Sequence, residues 1–266
     1  MRYIVVTDLD GTLLDHQTYK FTPAKGAIAT LDRREIPIIL NSSKTKAEIL
    51  AIRNELNNQE PFVCENGGVL CGITSQSNVT EDIEELQIQY LGIPRHKFLD
   101  NLRSLKETLH LNYENFADAS VDDVVRWTGL APSDAQKAMN REATEPLLWH
   151  DTKVALDTFR QKLQELELQC VKGGRFHHVM GTFNKASCFP KLKQYYSQGW
   201  QEEIKIIALG DSQNDLPMLE QADYAVVIPS AKGIKLQLDR NSVFFASKPG
   251  PYGWQEGIDF FLKSIF

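Results

Sequence analysis

Tyr3-Ile4-Val5-Val6-Thr7-Asp8-Leu9-Asp10-Gly11-Thr12 opens the chain with a β-branched apolar run that ends in two aspartates and a glycine. Such a run reads as a buried strand, and Asp with Gly directly after it reads as a turn at the strand's carboxyl end. The pattern then repeats. Ala24, Ala27, Ile28 and Leu31 recur at helical spacing behind Thr22 and Pro23 as N-cap and first helical residue. Pro37–Leu40 reads as a second strand, and Thr45 and Glu48 stand in capping-box spacing before the next helix. Pro61–Cys64 reads as a third strand, followed by the turn-forming Gly67-Gly68. Strand–helix alternation of this kind predicts a parallel sheet with crossover helices.

The middle of the chain changes character. Phe98, Leu102, Leu105 and Leu109 share one helix face, and Ser120–Leu130 and Ser133–Ala143 read as shorter helices, each led by a capping Ser. Val154–Leu168 reads as a longer helix. Leu168–Lys172 and Arg175–Met180 flank Gly173-Gly174 as a hairpin. From Lys185 the alternation resumes, with strands Ile204–Leu209 and Tyr224–Ile228, a helix over Leu216–Gln221 and a closing helix from Ile258 to Phe266. The expected fold class is therefore α/β: a Rossmann-like parallel-sheet core with an inserted α+β cap domain. The expected divisions are 1–82 for the first part of the core, 83–184 for the cap and 185–266 for the second part.

Composition bounds the function. The chain has 266 residues with 29 Lys+Arg against 35 Asp+Glu, a formal charge of −6, and is 42% hydrophobic and 24% charged. The acidic balance argues against non-specific nucleic-acid binding, which needs a basic footprint, but leaves room for a small anionic substrate in a locally positive cleft. Apolar runs stay well short of the roughly 18 residues that a membrane span requires. Asp8 and Asp10 interrupt the apolar opening, so it does not read as a signal peptide. The four cysteines form no CxxC pair and read as reduced thiols, so a cytoplasmic location is expected. Oligomeric state is not encoded in any visible pattern.

The chemistry sits where strands end. Asp8-Leu9-Asp10-Gly11-Thr12 follows the first strand, and Gly210-Asp211-Ser212-Gln213-Asn214-Asp215 follows the strand after the insertion. In open parallel sheets the ligand site lies beyond the carboxyl ends of the strands, so both acidic loops reach one edge. Desolvating several carboxylates together is costly without a cation, and a hard divalent ion with oxygen ligands, Mg2+, fits them. An EF-hand reading fails: counted from Asp8, its sixth and twelfth positions hold Leu13 and Tyr19 instead of Gly and Glu. A dinucleotide-binding glycine turn, a phosphate loop, a zinc-protease helix and a nucleophile elbow are absent from the sequence. Ser42, at the end of the second strand, can donate to a phosphate oxygen, and Lys185 can supply positive charge.

The order Asp8-Leu9-Asp10-Gly11-Thr12, Ser42, Lys185, Gly210–Asp215 resembles the four motifs of the haloacid dehalogenase-like phosphatase superfamily. The resemblance covers nearly the whole chain. More narrowly it is similar to the mannosyl-3-phosphoglycerate phosphatase family. The supporting segments are Ser42-Ser43-Lys44-Thr45, Glu65-Asn66-Gly67-Gly68, Arg141-Glu142-Ala143-Thr144-Glu145-Pro146, Gly173–Gly181 and Gly250-Pro251-Tyr252-Gly253-Trp254. Two departures stand out: Ser42 where Thr is commoner, which keeps the hydroxyl, and Asn184 before Lys185, where many relatives carry an acidic residue.

The resemblance implies that Asp8 is a nucleophile forming an aspartyl-phosphate and Asp10 a general acid and base. It implies Mg2+ on the Asp8 carboxylate, the Asp10 main-chain carbonyl and Asp211, with Ser42 and Lys185 on the phosphoryl oxygens and Asn214 and Asp215 in support. The implied substrate is a small phosphorylated glycoside such as a mannosyl- or glucosyl-3-phosphoglycerate. Ser43, Arg141, Glu145, Arg175 and His177 are the candidates to read it. Alternation along Arg175–Met180 places Arg175 and His177 on one face and His178 on the other, an arrangement unsuited to joint zinc chelation. A broader sugar-phosphate phosphatase on the same core, a mutase and a catalytically silent binding protein are the alternatives.

Overall fold

A computed structural model describes residues 1–73, 87–230 and 236–265; the expected boundary between 82 and 83, and Phe266, lie outside the described residues. In chain order the elements are β1 (Arg2–Thr7), α1 (Lys25–Arg33), β2 (Ile38–Leu40), α2 (Lys46–Leu56), β3 (Phe62–Cys64), β4 (Val69–Cys71) and β5 (Ile88–Tyr90). Then come α3 (Leu99–Thr108), β6 (Tyr113–Asn115), α4 (Val121–Thr128), α5 (Pro132–Met139), β7 (Thr144–Trp149), α6 (Lys153–Gln164), β8 (Leu168–Gly173) and β9 (Phe176–Gly181). The chain closes with α7 (Phe189–Trp200), β10 (Ile204–Gly210), α8 (Leu216–Gln221), β11 (Tyr224–Val227), β12 (Val243–Phe245) and α9 (Gly250–Ile265).

The central sheet is parallel throughout, in the order β12-β11-β10-β1-β2. Alternation along β1 explains why both faces are covered. Val5 joins a cluster with α1 and α9 through Leu31, Trp254 and Ile258. Ile4 and Val6 join one with α7 and α8 through Leu192, Met218 and Leu219. Ile4, Val5 and Val6 are wholly buried, each contributing roughly 1.5–3 kcal/mol of apolar burial. Among the described residues no helix is long and apolar enough to cross a membrane.

Two smaller sheets complete the architecture. Contrary to expectation, the third strand is not one more parallel strand of the central sheet. Among the described residues its ladder link to the central sheet is a single parallel bridge from Val63 to Asn41, the residue after β2, and it pairs antiparallel with β4, which pairs with β5. The reason is local: Glu65 and Asn66 adopt φ of 53° and 60°, and Gly67 φ of 96°, folding the chain straight back into a hairpin. The third sheet, β6-β7-β9-β8, is antiparallel. One of its faces packs on α3 and α6 through Leu147, Val179, Leu102 and Phe159; the other packs on α4 and α5 through Phe176, Leu148, Val124 and Ala135.

Capping chemistry explains several boundaries. Thr45 and Glu48 close the capping box of α2, and Ser120 and Asp123 that of α4. Elsewhere the expected starts shift. Thr22-Pro23-Ala24 forms a 3-10 turn ahead of α1, and Ala131 rather than Ser133 stands at the N-cap of α5, because Pro132 is pre-set for the first helical position. Lys185 lies in a turn before α7 instead of at a helix start, and α9 begins at Gly250, ahead of the Ile258 expected.

Candidate active site

Parallel pairing of β1 with β10 in the register Thr7–Leu209 brings the two acidic loops side by side. The Asp8 amide donates to the Leu209 carbonyl at 3.0 Å, fixing the first aspartate at the strand's end. Carboxylate oxygens of Asp8, Asp211 and Asp215 lie within 4.8 Å of one another. Lys185, wholly buried, donates from Nζ to Asp8 Oδ1 and to Asp215 Oδ1, each at 2.5 Å. The other Asp215 oxygen accepts from the Asp211 and Ser212 amides at 3.0 Å and from the Ser212 hydroxyl at 3.1 Å. Asp215 is thus saturated and orients Lys185. Gly210 permits the fold of this loop, since a Cβ there would come within 2.5 Å of the Asp215 Cβ.

Electrostatics mark the cluster as short of positive charge. Burial pushes the Asp8 carboxyl up to about 8, with Lys185 opposing and Asp215 and Asp211 adding to the rise. Burial and Asp215 push Asp211 up to about 6, against the hydrogen bond from the Thr12 hydroxyl at 3.1 Å. Burial acts to discharge Lys185, but Asp215 and Asp8 outweigh it and hold its pKa above the ordinary lysine value. Crowded, desolvated carboxylates with raised pKa values are what a divalent cation relieves. Because both Asp215 oxygens are engaged, Asp8 and Asp211 are the side chains with capacity for a hard ion, and an all-oxygen donor set suits Mg2+.

The β2–α2 loop closes the other side. Ser42 is buried, its amide donating to the Val63 carbonyl and its hydroxyl accepting from the Lys44 amide at 3.3 Å. The Asn41 side chain donates to the Lys185 carbonyl at 2.8 Å, tying this loop to the lysine turn. Ser43 is half-buried in the same loop. Asn214 accepts from the Ser212 hydroxyl and donates to Asn66 Oδ1 at 3.0 Å. Asp10 is ion-paired through Oδ2 with Lys44 at 2.8 Å. Behind Asp8, the Trp254 indole donates to the Thr7 hydroxyl at 3.0 Å, and that hydroxyl donates to the Asp8 carbonyl at 2.8 Å.

Across the site stands the β6-β7-β9-β8 sheet. A cavity of about 310 Å³ runs between Lys185, Asn66 and Asn214 on the core side and Gln169, Val171 and Met180 on the sheet. A larger cleft, about 810 Å³ near Phe21, Pro37 and Trp200, lies at the opposite ends of the strands and carries none of the motif residues. Strand register decides which expected substrate-reading residues face the smaller cavity. Val171 pairs with His178, Met180 with Thr144 and Gln169 with Met180, so His178 and Thr144 share the cavity's face.

Glu145 and His177 lie on the other face, a correction to their expected role. Glu145 is fully buried against Arg95 Nε at 2.5 Å and the Ala117 amide at 2.7 Å. His177 packs edge-on to Trp149 with Lys172 Nζ 3.3 Å away; burial, with Lys172 and Arg160, lowers it to about 4. Arg175 is also displaced. The hairpin turns at Gly174-Arg175 instead of Gly173-Gly174, because Gly174 takes φ of 56°, and Arg175 is exposed in that turn rather than facing inward from a strand.

Arg141 is placed between the β3–β4 turn and the start of β7. It donates to the Ala138 carbonyl and the Thr144 hydroxyl, and lies 3.9 Å from Glu65 Oε2. Glu65 is the residue whose role the sequence concealed. Its buried carboxylate accepts from the Glu142, Ala143 and Thr144 amides and the Thr144 hydroxyl, at 2.6 to 3.1 Å, clasping the segment that leads into β7. Lys44, Asn66 and Trp254 were likewise visible only inside quoted segments, since their partners are distant in sequence.

Comparison with known proteins gives this geometry a family. Residues 5–236 match the model of the haloacid dehalogenase-like hydrolases. The chain is similar to a haloacid dehalogenase-like hydrolase from Bacteroides thetaiotaomicron, with TM-score 0.66 and 17% identity over 100% of both chains. It is also similar to the sucrose-phosphatase of Synechocystis sp. PCC6803, solved with sucrose and phosphate (TM-score 0.59, 14% identity, 98% of each chain). A third similar structure is the subclass IIB sugar phosphatase BT4131 (TM-score 0.64, 13% identity, 99% of this chain and 98% of that one). At such identities the structures establish the shared fold, and the match over 5–236 establishes membership: the chain belongs to the haloacid dehalogenase-like hydrolase family.

Proposed function

We propose that this hydrolase is a Mg2+-dependent phosphomonoesterase that works through an aspartyl-phosphate. The observation that carries the reading is the Asp8–Lys185–Asp215 arrangement beside Asp211, a nucleophile-competent carboxylate held at a strand end next to a fixed cation. Asp8 attacks phosphorus, splitting hydrolysis into two displacements. Lys185 and Ser42 stabilise the transferring phosphoryl oxygens. Asp10 protonates the departing alkoxide and then takes a proton from the attacking water, a role worth about 10²–10⁴-fold. Asp8, Asp211 and the Asp10 carbonyl would hold the metal ion, which supplies the positive charge that lets an anionic carboxylate approach an anionic phosphate. Asp8→Asn, nearly isosteric, should lose at least about 10³-fold in kcat with its melting temperature retained. Near-normal Mg2+-dependent turnover by that variant would overturn the assignment.

The substrate we infer is a glycosyl-3-phosphoglycerate. Support comes from the sequence resemblance and from Arg141, the guanidinium nearest the cavity-facing strand residue Thr144 and suited to a carboxylate. A second reading, a broader sugar-phosphate phosphatase, is favoured by a specific observation: Glu145 and His177 turn away from the cavity, which leaves fewer polar groups there to demand a glycerate. A panel of phosphomonoesters separates the two. A kcat/KM at least about 10²-fold higher for glycosyl-phosphoglycerates than for hexose phosphates supports the first, and equal values support the second.

A further inference from the structure

The two oxygens of Asp10 have unequal surroundings. Oδ2 meets Lys44 Nζ at 2.8 Å, whereas Oδ1 is buried and has no hydrogen-bond partner among the described residues. Lys44 is firmly placed. Its side chain is only 16% exposed, its ammonium lies 4.0 Å from Glu48 Oε1, and the Tyr19 ring centroid is 5.5 Å away. Its backbone is held at both ends: the amide donates to the Ser42 hydroxyl, and the carbonyl accepts from the Glu65 amide at 2.9 Å. The following residue, Thr45, caps α2 and engages Glu48 Oε2, leaving Oε1 to Lys44.

We propose that Lys44 is a positioning residue for the acid–base step, pinning Asp10 Oδ2 and leaving Oδ1 as the oxygen that exchanges the proton. This rests on the phosphatase reading above. Without Lys44 the carboxylate is free to rotate about its terminal torsion, a broad two-fold rotor, and its proton-transfer geometry degrades. The penalty then depends on the leaving group. An alkoxide needs a proton as it departs, whereas p-nitrophenolate leaves without one.

The test measures kcat/KM, which reports steps up to departure of the leaving group, for a hexose 6-phosphate and for p-nitrophenyl phosphate. Lys44→Met should lose about 10- to 100-fold on the hexose phosphate and less than about 3-fold on the aryl ester. Lys44→Arg, which keeps a cation in reach, should recover most of the loss. The Asp10→Asn/Lys44→Met double variant should be no worse than Asp10→Asn alone. Equal losses on both substrates, or additive losses in the double variant, would overturn the proposal, since Lys44 would then serve the fold or the phosphate directly. Failure of the wild type to hydrolyse both esters and a glycosyl-3-phosphoglycerate would instead count against the phosphatase reading itself.

Discussion

Asp8 and Glu65 are both buried carboxylates, and they are satisfied in opposite ways. Asp8 shares one ammonium with Asp215, faces Asp211 as well, and is pushed up to about 8 chiefly by burial. Glu65 receives three backbone amides and a hydroxyl, with Arg141 near by. A carboxylate supplied with that many donors has its hydrogen-bonding capacity filled and serves as a structural pin. One that shares a single ammonium with Asp215, beside a third carboxylate, keeps unspent acceptor capacity, which is what a nucleophile and metal ligand requires. Asp8 therefore belongs to an under-neutralised cluster, and Glu65 to a saturated one.

The sharpest way to break this comparison is to remove the shared cation. Lys185→Met leaves Asp8 and Asp215 buried together and should cost about 3–5 kcal/mol in metal-free protein, measured by urea unfolding, and abolish turnover. Unchanged stability would mean that the cluster is neutralised by other groups. Glu65→Gln tests the saturated carboxylate. It sets an amide donor against the amides of 142–144 and should cost about 2–3 kcal/mol. Its effect on hydrolysis of p-nitrophenyl phosphate should be slight beside that of Lys185→Met. A catalytic defect as deep as that of Lys185→Met would erase the distinction.

A third consequence concerns pH. Asp8 and Asp211 are raised to about 8 and about 6 in the native state, above the unfolded value of about 4. Between those values the folded protein binds more protons than the unfolded chain, so stability falls as pH rises. The melting temperature of metal-free protein should accordingly drop between pH 5 and pH 8 through these two groups, and saturating Mg2+ should flatten the slope. A metal-free profile that rises over this interval, with no change on adding Mg2+, would contradict the electrostatic picture. The smallest expected effect is at Arg175. Exposed in its turn, it should change kcat/KM by less than about 2-fold on mutation to Ala. A large KM increase for carboxylated substrates alone would return Arg175 to the cleft.

The regions around the two carboxylates also differ in how far the sequence discloses them. The site at the central sheet was legible because its residues follow strands directly. A β-branched run ending at Thr7 or Gly210 determines where Asp8 and Asp211 emerge, and parallel pairing does the rest. The α/β class was legible for the same reason, since alternation of strand and helix is a local signal. The hairpin at Glu65-Asn66-Gly67 was not, because it depends on two non-glycine residues adopting positive φ. Nor was the face that each expected substrate-reading residue of β7 and β9 takes. A shift of one residue in the turn, from Gly173-Gly174 to Gly174-Arg175, moves Arg175 off the strand altogether. The placement of Glu145 follows from its pairing opposite Val179, a long-range fact. Lys44 and Asp10 form their ion pair between two loops that only the fold brings together.

The central claim is that Asp8 is the group that takes the phosphoryl. Acid quench during turnover, followed by borohydride reduction and peptide mass analysis, identifies the phosphorylated residue, because an acyl phosphate is reduced to the alcohol. The expected result is homoserine in place of Asp8 in the peptide from the first strand, at a level that rises with substrate and is lost in Asp8→Asn. Modification at any other residue, with Asp8 recovered intact, would contradict it.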